Sequence, residues 1–315
     1  MSRRPVLLQK PKALRKGSRI AVVSPSSPAD PAAVSAGIAE LRRMGFLVEE
    51  SPPLPPQGYF AGSHEELIRQ LRKQFTAKNI DGVIATRGGY GANYLIDLRL
   101  ATSLVGPKCL IGYSDLNIIQ ILLYQVRRWA GFYGPMVAAG FNHGSSEAWG
   151  YDKVSFLQAV GETKLKWQIP LFGKVLAGGS ATGRIVGGCL TMLQTCLGTG
   201  WEPDMRGAIL LLEDRGMKPY QVDRALRHLH QAGKLQEVSA VLLGDFPDCD
   251  SPVPGCPTIP EICERILGPL GVPVVYGAPI GHTKRPMLTI PLGVRAKLHA
   301  EGEGTLEILE PAVVD

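Results

Sequence analysis

Three residues at or just after the ends of predicted strands carry the groups of a hydrolase: the hydroxyl of Ser114, the carboxylate of Glu213 and the imidazole of His282. A histidine can take the proton of a serine nucleophile, and an acid can orient the imidazole and stabilise its charge. The three stand in the chain order Ser, Glu, His. Because such triads are recognised by geometry, this order alone assigns no role.

Ser114 lies between a predicted strand (108–113) and a predicted helix (about 115–128). A sharp turn there projects a side chain outward and places the next backbone N–H, that of Asp115, at a helix N-terminus that stabilises negative charge. The usual Gly-x-Ser-x-Gly pattern is incomplete, because Leu116 stands where the second glycine would be. The alternative is a serine that only caps the helix, and we expect the Asp115 side chain to act as a cap as well.

The glycine-rich segment Arg87–Gly91 follows another predicted strand. Glycines let backbone amides approach a ligand closely. Phosphate or dinucleotide binding is one interpretation, but the third glycine of the Rossmann pattern is missing. A second is that the segment supplies one N–H of an oxyanion hole, and a third is a plain strand-to-helix turn.

Glu213 and Asp214 end an apolar run, and His282 follows the segment 278–281. Acids at the carboxyl end of a strand in an α/β sheet often line a cleft. A solvent-facing pair of acids, a helix cap and a structural or surface histidine are the ordinary alternatives.

The elements that must position these groups alternate between strands and helices, which predicts an α/β fold with a parallel sheet. In the second half, alternation over 296–309 predicts antiparallel strands around a glycine-rich turn. Residues 141–176 are polar and poorly periodic, so we interpret them as a connection. The predicted strands are 19–25, 46–50, 81–86, 108–113, 209–214, 238–243 and 273–277, and the predicted helices are 30–45, 64–77, 115–128, 189–197 and 220–229.

Composition excludes several classes of protein. The 315 residues are 45% hydrophobic, which supports a large core and excludes wholesale disorder. The net charge of +6 comes from seven basic residues and no acid within residues 1–19, so a general nucleic-acid surface is not indicated. The uncharged stretches 129–146, 185–201 and 266–283 are broken by glycine and proline and do not predict membrane spans. The N-terminus lacks the apolar run of a secretory signal, so we expect a cytoplasmic protein.

No metal or cofactor is expected from the sequence. Six cysteines without a Cys-x-x-Cys pair predict reduced core thiols. Cys249, Cys256 and Cys263 are evenly spaced, but no histidine stands at zinc-ligand spacing beside them.

The sequence resembles the LD-carboxypeptidases, a family of serine peptidases that includes murein tetrapeptide carboxypeptidases and microcin C immunity peptidases. The resemblance runs from about residue 17 to 310. It is carried by segments in matching order: 20–26, 59–62, 85–91, 111–115, Gly134-Pro135-Met136, Gly187-Gly188 with Leu190, Gly198-Thr199, 212–214, Pro219-Tyr220 with Asp223-Arg224, Gly281-His282 and Pro291-Leu292-Gly293.

The resemblance implies a Ser114–His282–Glu213 triad built across two domains. It implies an oxyanion hole made of the backbone N–H groups of Asp115 and of the glycine-rich loop, which we place at Gly89. It also implies no cofactor, a homodimer, and a flavodoxin-like N-terminal domain with a parallel sheet followed by a mixed α/β domain that ends in antiparallel strands. The expected ranges are 1–140 for the nucleophile domain, 141–176 for the connection and 177–315 for the domain that supplies Glu and His.

The chain also departs from the family pattern, at positions that are not proposed catalytic groups. These departures put the identity of the substrate in doubt more than the reaction. They are Tyr94 where Arg is frequent, Asn117 for Thr, Tyr133 for His before Gly-Pro-Met, Cys189 for Asn, and Met217-Lys218 where an acid is frequent.

The resemblance implies a serine carboxypeptidase that hydrolyses the amide between an L-centre of the diaminopimelate type and a C-terminal D-amino acid. Its partner would be a small muropeptide, its role peptidoglycan recycling. One alternative is an immunity peptidase that cleaves a peptide–nucleotide conjugate, although no aromatic stacking residue paired with a ribose-binding acid can be located. Another is a two-domain solute-binding protein. Candidates for binding the substrate are Arg87, Tyr90, Lys284 and Arg285. The ordinary alternative for Lys284 and Arg285 is that they are simply exposed surface cations.

Overall fold

The computed structural model describes residues 7–96, 98–164 and 166–315. Its elements alternate as the sequence predicts through the first half. The strands are β1 (Arg19–Val23), β2 (Leu47–Glu50), β3 (Gly82–Ala85), β4 (Cys109–Gly112), β5 (Gly131–Tyr133), β6 (Trp167–Pro170), β7 (Lys174–Ala177), β8 (Gly179–Cys189), β9 (Ala208–Glu213), β10 (Ala240–Gly244), β11 (Val274–Ala278), β12 (Ile290–Leu292), β13 (Arg295–Ala300) and β14 (Thr305–Ile308). The helices are α1 (Pro31–Arg43), α2 (His64–Thr76), α3 (Leu98–Ser103), α4 (Asn117–Arg127), α5 (Lys153–Gly161), α6 (Leu190–Thr195), α7 (Pro219–Gln231) and α8 (Ile259–Leu267).

The first sheet has the order β12-β5-β4-β3-β1-β2. β1 to β5 pair in parallel, so their carboxyl ends meet at one edge. All residues of β3 and β4 are buried, as expected for parallel strands that are covered on both faces. The predicted parallel α/β half is confirmed, and the turn after β4 places Ser114 at this edge.

The second sheet has the order β6-β14-β13-β8-β9-β10-β11-β7. β8 to β11 form its parallel centre, and all six residues of β9 are buried. β13 and β14 are antiparallel, which confirms the prediction for the C-terminal tail. The carboxyl end of β9 carries Glu213, just as the carboxyl end of β4 leads to Ser114 in the first sheet.

The segment 141–176 is more structured than the predicted connection. It contains α5 and β6, and most of β7, and these two strands form the two edges of the second sheet. Trp167 and Ile169 of β6 are buried and alternate with exposed residues. Four residues are too few for this alternation to stand out in the sequence. The domain boundaries at 140 and 177 stay predictions.

The chain returns to the first sheet near its C-terminal end. β12 pairs antiparallel with β5, with Ile290 opposite Tyr133 and Leu292 opposite Gly131. β12 therefore lies within the range predicted for the second domain but completes the first sheet. Pro291 is tolerated there because β12 is an edge strand.

Side-chain caps begin two of the helices, α1 and α2. Asp30 accepts from the Ala33 N–H at 2.9 Å, and Ser63 accepts from the Glu66 N–H at 3.4 Å. Within the described residues, no helix combines the length and the apolar character needed to cross a membrane.

The cysteines are unpaired thiols, and five of the six are buried. Burial raises the pKa of Cys196 and of Cys263 to about 12, so these thiols are protonated at neutral pH. Among the described residues, no group of three His, Cys, Asp or Glu side chains is placed to hold a metal ion.

Candidate active site

The turn that carries Ser114 has an unusual backbone. β4 ends at Gly112, and Ser114 adopts φ +60° before one turn of 3-10 helix leads into α4. Left-handed φ values are unfavourable for residues with a side chain and persist where the surrounding fold requires them. A side chain at Gly112 would overlap Leu116, so the turn also depends on a glycine before it. The strained turn presents the Ser114 hydroxyl to a cleft.

The glycine-rich loop passes directly against this serine. A Cβ at Gly88 would lie 2.8 Å from Ser114 Cβ and 2.9 Å from its Oγ. Gly89 has φ +113°, and a side chain there would overlap Ser27. The Tyr90 N–H donates to Ser27 Oγ at 3.1 Å and fixes the loop. Backbone atoms thus occupy the space beside the hydroxyl that side chains would otherwise fill.

The Asp115 carboxylate ties the loop to the serine turn. Its Oδ2 accepts from the Ala92 N–H at 2.8 Å, and the residue is 2% exposed. Burial raises its pKa, and the bond from Ala92 opposes part of that rise. The prediction that the Asp115 side chain caps the helix is wrong. Its partner lies at the end of the glycine-rich loop and not in α4.

Glu213 and His282 form a direct pair. Glu213 is fully buried at the end of β9, and its Oε2 accepts from both the backbone N–H and the Nδ1 of His282, each at 2.8 Å. Gly281 turns the chain with φ +67°, and any side chain there would overlap the Glu213 carboxyl group. The two residues, which lie 69 positions apart, meet as a triad requires.

The charge of Glu213 controls the imidazole. Burial by itself lowers the pKa of His282, but the Coulombic attraction of Glu213 and its hydrogen bond outweigh burial, so the pKa is raised. With Nδ1 engaged by Glu213, the other ring nitrogen, Nε2, is the one that can accept a proton. The ring of Tyr113 meets the imidazole edge-on, with centroids 4.9 Å apart.

Tyr133 joins the two halves of this arrangement. Its buried hydroxyl donates to Glu213 Oε1 and accepts from the Ser114 N–H at 3.4 Å. The sequence showed this residue only as a departure from a family pattern. No local signal pairs a residue of β5 with one 80 positions later.

Ser114 and His282 line one cleft of about 360 Å³. Within the described residues, no hydrogen bond joins the Ser114 hydroxyl to the imidazole, and catalytic hydrogen bonds often tighten only when substrate binds. Two cations also face the cleft. The lining residues are Asp30, Ala33, Arg87, Gly88, Gly89, Tyr113, Ser114, Met136, Ala138, Ala139, Arg215 and His282.

The geometry agrees with what sequence comparison finds. Residues 20–134 match the LD-carboxypeptidase N-terminal domain and residues 182–298 match the LD-carboxypeptidase C-terminal domain. The chain belongs to the LD-carboxypeptidase family. It is a serine-type hydrolase of this family. Ser114 lies in the first matched segment, and Glu213 and His282 lie in the second.

Relatives of this LD-carboxypeptidase include a murein peptide carboxypeptidase and a self-immunity protein. The probable murein peptide carboxypeptidase of Bacillus subtilis (strain 168) is 32% identical over 306 residues, which cover 95% of this chain and 94% of that protein. The microcin C7 self-immunity protein MccF of Escherichia coli is 27% identical over 320 residues, with 90% of each chain covered.

Solved structures share the fold. Muramoyltetrapeptide carboxypeptidase from Oxalobacter formigenes matches with a TM-score of 0.81 and 29% identity, covering 93% of this chain and 99% of that one. MccF in complex with glutamyl sulfamoyl guanosine matches with a TM-score of 0.85 and 23% identity, covering 97% and 100%.

Arg215 is a cleft residue of this LD-carboxypeptidase that sequence reasoning missed. Its guanidinium pairs with Asp248 at 2.9 Å and lies over the ring of Trp149, 5.4 Å from the centroid. Asp214, in contrast, accepts from the hydroxyl and N–H of Thr191 and from the N–H of Arg215, so this acid anchors backbone. The available signal for Arg215 was its position directly after Asp214 in the sequence.

The three cations that the sequence did predict differ in their surroundings. Arg87 lines the cleft. Arg285 is held by Asp245 at 3.0 Å and by the carbonyls of Phe172 and Gly277. Lys284 is mostly exposed and lies 3.8 Å from Asp248. Neither of the last two lines the cleft in the described structure.

An aromatic cluster continues from the glycine-rich loop. Tyr90 lies next to Gly89, and the cluster rings contact one another with centroids 4.4 to 6.0 Å apart. Tyr59 is 58% exposed and Tyr94 is 50% exposed. The aromatic cluster consists of Tyr59, Phe60, His64, Tyr90 and Tyr94.

Asn117 and Cys189, two further positions where the chain departs from the family pattern, connect the two sheets. The Asn117 Oδ1 accepts from the Cys189 N–H at 3.1 Å, and its Nδ2 donates to the Gly187 carbonyl at 3.1 Å. Asn117 is fully buried, so these bonds satisfy a polar group in the core. The turn after β4 is thereby fixed against β8.

Proposed function

We propose that Ser114 is the nucleophile, that His282 is the general base and that Glu213 orients the imidazole. The observation that carries this assignment is the hydrogen bond of buried Glu213 to His282, which lines the same cleft as a serine with φ +60°. A buried carboxylate on Nδ1 holds the tautomer in which Nε2 can accept a proton.

In the proposed reaction, Ser114 Oγ attacks the scissile carbonyl carbon while His282 Nε2 takes the hydroxyl proton. The backbone N–H groups of Asp115 and Gly89 donate to the oxyanion that forms. The imidazolium then gives its proton to the leaving amine, and the amide bond breaks. A water deprotonated by His282 hydrolyses the acyl-enzyme and regenerates the free serine.

We propose a murein tetrapeptide as the substrate. The scissile amide would join an L-centre of the diaminopimelate type to a C-terminal D-amino acid. The murein peptide carboxypeptidase of Bacillus subtilis and the muramoyltetrapeptide carboxypeptidase of Oxalobacter formigenes support this class. The cleft cations Arg87 and Arg215 suit the terminal carboxylate, since guanidinium groups bind carboxylates through paired hydrogen bonds.

The cellular setting belongs to the same proposal. A carboxypeptidase of this specificity would act in peptidoglycan recycling, in the cytoplasm, and the family resemblance implies a homodimer. Light scattering at several protein concentrations would test the dimer independently of activity.

Mass spectrometry of the products tests the reaction. Wild-type enzyme should remove one D-alanine from a murein tetrapeptide and leave the diastereomer ending in L-alanine intact. Ser114→Ala should lower kcat on the order of a thousandfold or more, because triad members act as a unit. A Ser114→Ala variant with near-wild-type turnover, or no acyl-enzyme on Ser114 with a serine-directed reagent, would reject the assignment.

The exposed aromatic cluster favours a second candidate, an immunity peptidase that cleaves a peptide–nucleotide conjugate. Aromatic rings stack on nucleobases, and this cluster continues from the loop beside the nucleophile. MccF, a relative and fold neighbour, has been solved with glutamyl sulfamoyl guanosine.

Tyr59→Ala separates the two candidates. It should lower kcat/KM for an aminoacyl sulfamoyl nucleoside and leave tetrapeptide cleavage unchanged if the cluster serves a base. If the wild-type enzyme hydrolyses only the tetrapeptide, and Tyr59→Ala does not change that rate, the murein peptide remains the proposed substrate. Val105→Ala, at another exposed hydrophobic residue outside the cluster, is the matched control.

A further inference from the structure

Tyr133 touches both parts of the proposed machinery without lining the cleft. Its hydroxyl oxygen contacts Glu213 Oε1 as donor and the Ser114 N–H as acceptor. Tyr133 belongs to β5 of the first sheet, and Glu213 ends β9 of the second. One phenol oxygen therefore connects the nucleophile turn of one sheet to the acid of the other.

The donor count at Glu213 shows why this contact matters. The carboxylate is fully buried, and its Oε2 is occupied by the backbone N–H and Nδ1 of His282. Tyr133 supplies the donor to the other oxygen. A buried carboxylate oxygen without a donor is costly and leaves the group free to rotate toward other partners.

We propose that Tyr133 is a positioning residue, which fixes the rotation of the Glu213 carboxylate and the height of the Ser114 turn through one shared hydroxyl. This inference rests on the proposed roles of Ser114, Glu213 and His282. The phenol acts as a neutral donor, because burial and the charge of Glu213 hold its pKa well above the usual value.

The ionisable groups around the pair set the direction of the expected pH effect. Tyr133 faces Glu213, Cys189 and the ring of Tyr113. His282 faces Glu213, Asp214 and Arg215. Loss of the phenol donor concentrates the Glu213 charge on its contact with the imidazolium, so the pKa of His282 should rise.

Tyr133→Phe tests the proposal with little change in shape. We expect kcat to fall roughly ten- to a hundredfold, since small misplacements of reacting groups have effects of this size. KM should change less than about threefold, because the cleft lining is intact. The acidic limb of kcat/KM should move to higher pH, which a purely structural role would not cause.

Tyr151→Phe is the matched control. Tyr151 is another fully buried tyrosine, and its hydroxyl donates to a carboxylate, Glu40 Oε1, at 2.5 Å, away from the cleft. This variant should lose a comparable amount of thermal stability and keep both kcat and the pH profile of the wild type.

Fluorinated tyrosine at position 133 gives a second test that does not depend on the stability of Tyr133→Phe. The fluorinated phenol keeps the shape and donates more strongly, so the acidic limb should move to lower pH. An unmoved limb with either change, together with kcat within threefold of wild type while Ser114→Ala is inactive, would overturn this inference alone. An active Ser114→Ala variant would overturn the proposed function instead.

Discussion

The Ser114 turn and the Glu213–His282 pair are built by different means. The turn is held by backbone: Ser114 has a positive φ, and side chains at Gly88, Gly89 and Gly112 would overlap Ser114, Ser27 and Leu116. The pair is held by three hydrogen bonds, donated by one backbone N–H and two side chains, that converge on one buried carboxylate. The first region should therefore be sensitive to added atoms, and the second to removed hydrogen-bond partners and to pH.

Among these variants, Glu213→Gln should lower kcat the most. An amide can accept at one atom only and donates at the other, so it cannot satisfy both His282 and Tyr133 as the carboxylate does. We expect kcat to fall on the order of a thousandfold or more, as for other triads with the wrong imidazole tautomer. Steady-state kinetics on a murein tetrapeptide measures this.

Glu40→Gln is the control for Glu213→Gln. Glu40 accepts from Tyr151 and from Arg43, outside the cleft. Its change should leave kcat within about threefold. Equal losses in both variants would mean that the Glu213 effect reports folding and not catalysis.

Gly88→Ala tests the backbone-built side. The new methyl group would meet Ser114 Cβ at 2.8 Å and Oγ at 2.9 Å, closer than real Cβ contacts. We expect roughly a hundredfold loss in kcat from the displaced nucleophile. Gly106→Ala, which has no atom within 4 Å of the new Cβ, should be silent. An active Gly88→Ala enzyme would show that the loop moves freely relative to the serine.

The two Asp115 variants measure the tie between loop and turn. Asp115→Ala removes the acceptor of the Ala92 N–H and should cost about 1.5–3 kcal/mol of folding stability together with roughly tenfold in kcat. Asp115→Asn keeps an acceptor oxygen and should lose less of both. Thermal melts and kinetics on the same preparations separate the two effects. Identical behaviour of Asn and Ala at this position would assign the effect to charge.

The smallest effect concerns pH. The raised pKa of His282 places the acidic limb of kcat/KM above pH 6.5, because the base must be neutral in the free enzyme. The same shift makes protonated His282 stabilise the fold fully below pH 6.5, and this contribution is lost as pH rises through the folded-state pKa. Glu213→Gln should move the limb down. A limb at or below pH 6.5 in the wild type would contradict the pairing.

The positions of Ser114, Glu213 and His282 could be predicted because each lies at or just after the end of a strand in the sequence, and the ends of parallel strands meet at one edge of a sheet. The family resemblance supplied the pairing between them. Tyr133 could not be predicted, because its partner lies 80 residues away in the other sheet. Arg215 reaches the cleft only through the turn after β9, whose direction the sequence does not encode locally.

The fold was predictable where strands are long and apolar, as in β9. β12 has three residues, one of them Pro291, and a pattern this short predicts a loop as readily as a strand. The strands at the ends of the segment 141–176 escaped for the same reason. Short edge strands are defined by the partner that they pair with, and that partner is distant in the chain.

The position of β12 has a consequence for how the chain emerges from the ribosome. β5 can acquire its outer neighbour only after residue 292 has been synthesised, which is later than β1 to β11. Until then the nascent first sheet carries an open edge beside the nucleophile turn, with unpaired backbone groups that other chains could join. The first sheet is therefore completed only after most strands of the second sheet have been synthesised, and a chain terminated before residue 290 keeps that edge uncovered.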